Sequence, residues 1–262
     1  MLKNVDHILI HTPTPQKTLQ ELEEVFGLKA SVPMTNYGFF TSALVRFGNT
    51  DIEVLQLGEK KDFTSYLSSI ALESKNEPWQ TLTDLNERQI THGLPIKIKP
   101  KHKTLFLSWT TILLGGLLDN PTPIPYGFYT KNFFTKTISK FYQWLMSNDF
   151  MGKALSKDTG DSSVFFVYLD QNIHDFRKEA TRDFLEVQGG GKYGLQSVES
   201  IVIEKKKENL LWDKLGKPSN ENSPKLTFIE GKENKLSHIV LNASKKYNNK
   251  EIYIGDVKFV IR

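Results

Sequence analysis

The sequence predicts an α+β fold assembled from recurring strand–helix–strand–strand–strand (βαβββ) units. Three observations carry that prediction. The first 57 residues spell a strand, an amphipathic helix and then β-rich runs. The same order of elements recurs after about 65 residues, without residue identity. A third round follows between Val198 and Ile261, after a stretch whose periodicity is helical.

The opening strand is Val5-Asp6-His7-Ile8-Leu9-Ile10-His11, branched aliphatics around a histidine, stopped by Thr12-Pro13. Alternation along a strand puts His7, Leu9 and His11 on one face and Asp6, Ile8 and Ile10 on the other. Thr14 as N-cap, Pro15 at the first helical position and Gly27 as terminator bound a helix with Leu19, Leu22, Val25 and Phe26 on one side. Tyr37 to Phe47 and Asp51 to Leu57 then read as strands around the turn Gly48-Asn49-Thr50. In the second of these, Asp51, Glu53, Leu55 and Leu57 share a face.

The second round opens with a strand from Ser65 to Leu72. A helix follows, begun by Asn76-Glu77-Pro78 and carrying Trp79, Leu82 and Leu85. Leu94 to Ile98, Leu105 to Leu114 and Ile124 to Thr130 complete it as strands. These two rounds define a first domain over residues 1–131.

Residues 132–191 are expected to form a mainly helical insert and linker. Phe134, Ile138, Phe141 and Leu145 fall on one helical stripe, and Ile173, Phe176, Ala180 and Phe184 on another. Val164 to Leu169 between them is an apolar run that fits either a strand or a buried helix. Gly189-Gly190-Gly191 reads as a flexible linker.

Residues 192–262 are expected to form the third βαβββ-like module. It holds the strand Val198 to Ile203, a short helix from Leu210 to about Gly216, and four further strands. The last two strands meet at Gly255-Asp256, a favoured tight-turn pair.

Composition narrows the function classes. A hydrophobic share of 39% and a charged share of 24% are those of a chain that buries an ordinary core. With no cysteine, zinc–thiolate sites, disulfides and cysteine nucleophiles are excluded. The apolar stretch Thr104–Leu118 falls short of the roughly 20 residues a spanning helix needs, and the flanks of the first strand do not read as a signal peptide. The expectation is a soluble cytoplasmic protein without membrane partners. The net charge of +4 is small, and Lys205-Lys206-Lys207 sits between Glu204 and Glu208 as a solvated face, so no nucleic-acid partner is expected. No G-x-G-x-x-G, phosphate loop or G-x-S-x-G elbow is present, which argues against dinucleotide and nucleoside-triphosphate chemistry.

Four stretches together resemble the glyoxalase-like branch of the vicinal oxygen chelate superfamily, which includes glyoxalases, extradiol dioxygenases and bleomycin-resistance proteins. They are Val5-Asp6-His7-Ile8-Leu9-Ile10, Ile52-Glu53-Val54-Leu55, Ser108-Trp109 and Pro125-Tyr126-Gly127-Phe128. The resemblance implies paired βαβββ modules whose mixed sheet curls around a pocket. It also implies a divalent metal (iron, manganese, zinc or nickel) held by residues of the first and last strands of each module. His7 and Glu53 match those places in the first module, as metal ligands or as a catalytic acid–base pair. Ser68 or Ser69, with Phe128-Tyr129, stand there in the second module, and Ser200 replaces the histidine in the third.

Two protein ligands are fewer than a catalytic metal normally has. His174 from the insert is a candidate third ligand. The ordinary alternative is a histidine lining a metal-free cavity, with Glu53 satisfied by Arg46 or His7, since a buried charge must be paired. His11, His92, His102 and His238 read as isolated, and Trp109 as core.

The functional expectation is therefore a glyoxalase-like protein that binds, and as an enzyme would transform, a small oxygenated metabolite. The alternative is a non-catalytic binding or sequestering protein of the bleomycin-resistance type. The third module's strands carry too many apolar residues to face solvent. Their expected cover is the same module of a second chain, giving a homodimer, with the insert helix as rival.

Overall fold

A computed structural model describes residues 1–37, 40–57, 62–93, 95–98, 109–114, 163–169 and 184–262. The first half is β1 (Leu2–His11), α1 (Pro15–Phe26), β2 (Ala30–Asn36), β3 (Phe40–Arg46) and β4 (Asp51–Leu57). The second round is β5 (Tyr66–Ser74), α2 (Pro78–Glu87), β6 (Ile96–Ile98), β7 (Trp109–Leu114) and β8 (Ser163–Leu169). Together they make one eight-stranded sheet in the order β2-β3-β4-β1-β5-β8-β7-β6. Each half has its last strand parallel to its first, and the two first strands meet antiparallel at the centre. The mixed-sheet α+β class is thus as the sequence predicts.

β8 is the chief departure in this sheet. The apolar run Val164–Leu169 is a strand, and it lies beyond residue 131, so segments on both sides of that boundary share one sheet. Ile124–Thr130, expected from the sequence as the closing strand, lies outside the described residues. So do the stripe from Phe134 to Leu145 and the insert helix beginning at Ile173, apart from the short α3 (Phe184–Val187). β2 does not stand out in the sequence because Pro33 interrupts it. A proline is tolerated there because β2 is an edge strand.

α1 forms where Pro15 and Gly27 bound it. Gly27 takes φ 68° and its N–H closes on the Glu23 carbonyl at 2.8 Å. Thr14 stands at the N-cap position but its side chain caps nothing. The Thr12 hydroxyl instead accepts from the Thr14 N–H at 3.2 Å. Thr12 also joins a buried hydroxyl ring with Thr18 and Ser65.

The three glycines expected as a linker form a close-packed turn. Gly190 donates to the Leu185 carbonyl, and a Cβ on Gly191, at φ 65°, would lie 2.1 Å from the Phe26 carbonyl. Only glycine lets this turn lie against the end of α1.

The C-terminal part contains β9 (Leu195–Lys205), α4 (Leu211–Leu215), β10 (Lys225–Glu230), β11 (Lys235–Ala243), β12 (Lys250–Ile254) and β13 (Val257–Ile261). Its five-stranded order, β10-β9-β11-β13-β12, differs from that of a single βαβββ unit. β9 pairs parallel with β10 and antiparallel with β11, while β11 pairs parallel with β13. That repeats the centre of the first sheet, β4-β1-β5-β8-β7, so this part is an abridged pair of units.

The apolar face of the second sheet is covered within the chain. Leu236, Ile239, Ile254, Val257, Phe259 and Ile261 are buried in one continuous core with Val5, Ile8, Ile10, α1 and α2. Phe259 meets Phe26 at 5.0 Å and stacks near Phe47 at 6.2 Å. Among the described residues this face has its cover within the chain, while Val202, Val240 and Val260 form a separate buried cluster. A sequence reading cannot see that the first sheet offers its helical face to the second.

Candidate functional site

The other face of the eight-stranded sheet carries a separate cluster. Leu9, Tyr37, Phe40, Leu55, Ala71 and Val167 are buried there, with Leu57, Trp109, Phe165 and Leu169 half-buried around them. Alternation along β1 sends Ile8 and Ile10 into the main core and His7, Leu9 and His11 to this face. Alternation along β4 likewise brings Glu53 in beside Leu55.

His7 and Glu53, singled out in the sequence, come together here. His7 Nε2 lies 3.0 Å from Glu53 Oε2. His7 Nδ1 lies 2.5 Å from Asp6 Oδ1. Strict alternation puts Asp6 on the opposite face. A β-bulge explains the difference: Val5 pairs with Leu72 and His7 with Ala71, leaving Asp6 as the extra residue. Val5 is thereby returned to the core and Asp6 turned toward the imidazole. Thr50 Oγ1 donates to the Asp6 carbonyl at 2.9 Å and fixes the bulge from β4's side.

Burial alone would lower the pKa of His7. The hydrogen bonds it donates to Asp6 and Glu53, with their charges, outweigh this and raise the pKa from 6.5 to about 9. The ring is an imidazolium at neutral pH, and both N–H groups donate to carboxylates. Tyr37 is pushed up to about 12, first by burial and then by the charge of Glu53, so its hydroxyl stays neutral. Tyr37 stacks on Phe40 at 4.6 Å and 14°, and Trp109 stands perpendicular to Tyr37 at 5.6 Å. Trp109 therefore belongs to this face and not to the main core.

The remaining sequence candidates fall elsewhere. Arg46 pairs with the buried Asp51 at 3.1 Å and not with Glu53. His11 meets Tyr66 Oη at 3.0 Å through Nδ1 and packs on Phe63. His92 bonds the Gly93 carbonyl and Asn86, and burial lowers its pKa. His238 lies on β11 beside Ser237. His102, His174 and Phe128-Tyr129 lie outside the described residues.

Whether these residues suit a metal can be tested by symmetry. Ile8 faces Ile70 at the centre of the β1–β5 pair, with His7 opposite Ala71 and Leu9 opposite Ser69. A two-fold through that pair exchanges His7 with Ser69 and Leu9 with Ala71. Glu53 sits beside Leu9, and Phe165 sits beside Ala71. The second unit thus offers a serine and a phenylalanine where the first offers a histidine and a glutamate. The Phe165 ring stands edge-on to His7, 5.9 Å between centroids. Among the described residues no three histidine, aspartate or glutamate side chains are grouped to hold a metal ion. With both ring nitrogens of His7 committed to carboxylates, this donor set does not fit one.

No family model and no curated protein matches the sequence. Solved structures do match. One is a hypothetical protein from Staphylococcus aureus, 13% identical, covering 100% of this chain and 99% of that one at a TM-score of 0.61. Another is homoprotocatechuate 2,3-dioxygenase from Arthrobacter globiformis, 8% identical, covering 100% of this chain and 80% of that one at a TM-score of 0.53. The corresponding enzyme from Brevibacterium fuscum is 9% identical and covers 99% of this chain and 71% of its own at 0.52. This chain has the glyoxalase-like fold of the vicinal oxygen chelate superfamily. At these identities the likeness is one of fold.

Proposed function

We propose that this protein binds a small oxygenated molecule on the Leu9–Tyr37–Trp109 face without a resident metal, the Asp6–His7–Glu53 assembly supplying the polar end of the site. The observation that carries the reading is the exchange of ligand types across the two-fold. Ser69 and Phe165 occupy the places that would complete a metal set, while the first unit's His7 is held by carboxylates on both nitrogens. What remains is a mostly apolar, aromatic surface with a few convergent polar groups, the composition of a small-molecule site. Binding is favoured over acid–base catalysis because neither nitrogen of His7 is left to take a substrate proton. Glyoxalase-like chemistry would first require that His7 part from one carboxylate.

The test is a thermal-shift screen of small oxygenated metabolites, repeated with EDTA and with added zinc, manganese, iron(II) or nickel. The expected result is ligand stabilisation that EDTA leaves intact. Hits that appear only with a divalent metal would overturn the metal-free reading.

A further inference from the structure

The polar atoms on this face set the charge of what it can hold. His7 spends both N–H groups on Asp6 and Glu53. A ligand approaching the pair therefore meets carboxylate oxygens, which accept and do not donate. Among the described residues His7 is the charged group that Glu53 contacts, through Oε2.

A second polar group points the same way. Trp109 and Thr111 alternate with Thr110 on β7 and share its face, and Thr111 lies opposite Val167 of the aromatic cluster. The Thr111 hydroxyl is buried and has no hydrogen-bond partner among the described residues. A buried hydroxyl left this way calls for an explanation, and a bound group that completes it is one. The rings of Tyr37, Phe40 and Trp109 stand on the same face, the indole perpendicular to the stacked pair, and Tyr37 lies close enough to Glu53 to feel its charge. Aromatic faces beside a carboxylate attract a positive charge carried on an apolar body.

Resting on the reading that this face is a ligand site, we propose that its ligand is an organic cation. The cation would be an ammonium head on a flat apolar body, with Glu53 as counter-charge, Thr111 Oγ1 as acceptor, and Tyr37 and Trp109 as walls.

Three probes that share a phenyl ring and differ at the head decide the matter: phenethylammonium, 2-phenylethanol and 3-phenylpropionate. Each is titrated at pH 7 into the full chain, read by the indole N–H resonance of Trp109, assigned with Trp109→Phe. The expected result is saturable binding of the ammonium at least tenfold tighter than the alcohol, with the carboxylate weakest. Glu53→Gln should erase the preference for the ammonium over the alcohol, and Thr111→Val should weaken the ammonium several-fold. If the alcohol or carboxylate binds as well as the ammonium, the cation inference fails while the binding face stands. If no probe moves the Trp109 resonance at millimolar concentration, both fall. The selectivity series on the wild type stands even if a variant does not fold.

Discussion

Replacing Phe259 by alanine separates two ways of covering the C-terminal sheet. Phe259 is fully buried, packs edge-on against Phe26 at 5.0 Å and lies parallel to Phe47 at 6.2 Å. Removing a buried phenylalanine costs about 3–5 kcal/mol in transfer and cavity terms. The lost aromatic pairs fall within that range or add about 1 kcal/mol. Its neighbours come from α1 and from the residue that follows β3, both in the first sheet's unit, so the loss falls on the contact between sheets. For a chain of this size the cost corresponds to a fall in Tm of about 6–20 °C.

The assay is urea unfolding followed by tryptophan fluorescence and far-ultraviolet circular dichroism, at two protein concentrations tenfold apart. We expect a drop of at least about 3 kcal/mol that is independent of concentration. A loss below about 1 kcal/mol would refute the shared core. A loss that varies with concentration would refute cover within the chain and restore the second copy.

The raised pKa of His7 has a pH consequence with a definite sign. A histidine whose folded pKa lies above its ordinary 6.5 contributes stability that is fully present below 6.5 and is lost as pH rises through about 9. Unfolding free energy should therefore fall by a few kcal/mol between those limits, with a slope of up to about 1.4 kcal/mol per pH unit, and His7→Gln should flatten that slope. Asp6→Asn should bring the His7 titration down toward 6.5 in a histidine-resolved NMR pH series, and an unmoved midpoint would remove Asp6 from the assembly. Gly191→Ala should destabilise the chain by about 2 kcal/mol or more, because the new Cβ meets the Phe26 carbonyl in a left-handed backbone, and unchanged chemical denaturation would contradict that packing.

The face of β1 could be read from alternation, and with it the meeting of His7 and Glu53, because hydrophobic period and strand register agree there. Asp6 could not be read. A bulge breaks the alternation, and nothing in Val5-Asp6-His7 marks it, since the cause is the pairing with Leu72 and Ala71 far along the chain. The position of β8 was hidden for a similar reason. An apolar run of that length fits strand or buried helix, and the choice is made by the exposed edge of β5 waiting for a parallel partner. The cover of the third set of strands was invisible because sheet-on-sheet docking leaves no local periodicity.

The register of the second sheet extends the symmetry argument across the whole chain. Ile201 faces Ile239 as Ile8 faces Ile70, so Ser200, as the sequence suggested, takes the place of His7 and His238 takes the place of Ser69. Thr227 beside Val202, and Val260 beside Val240, take the places of Glu53 and Phe165. The four positions that could carry an imidazole thus hold His7, Ser69, Ser200 and His238. The four that could carry its acid hold Glu53, Phe165, Thr227 and Val260. His238 has a histidine but its own partner position is valine, and burial, with Lys258 nearby, lowers its pKa. Histidine and carboxylate coincide in the first unit alone, and there the bulge adds a second carboxylate in Asp6. The pairing of strands recurs in both sheets, and it is the residues at these positions, not the pairing, that set the face of β1 and β4 apart.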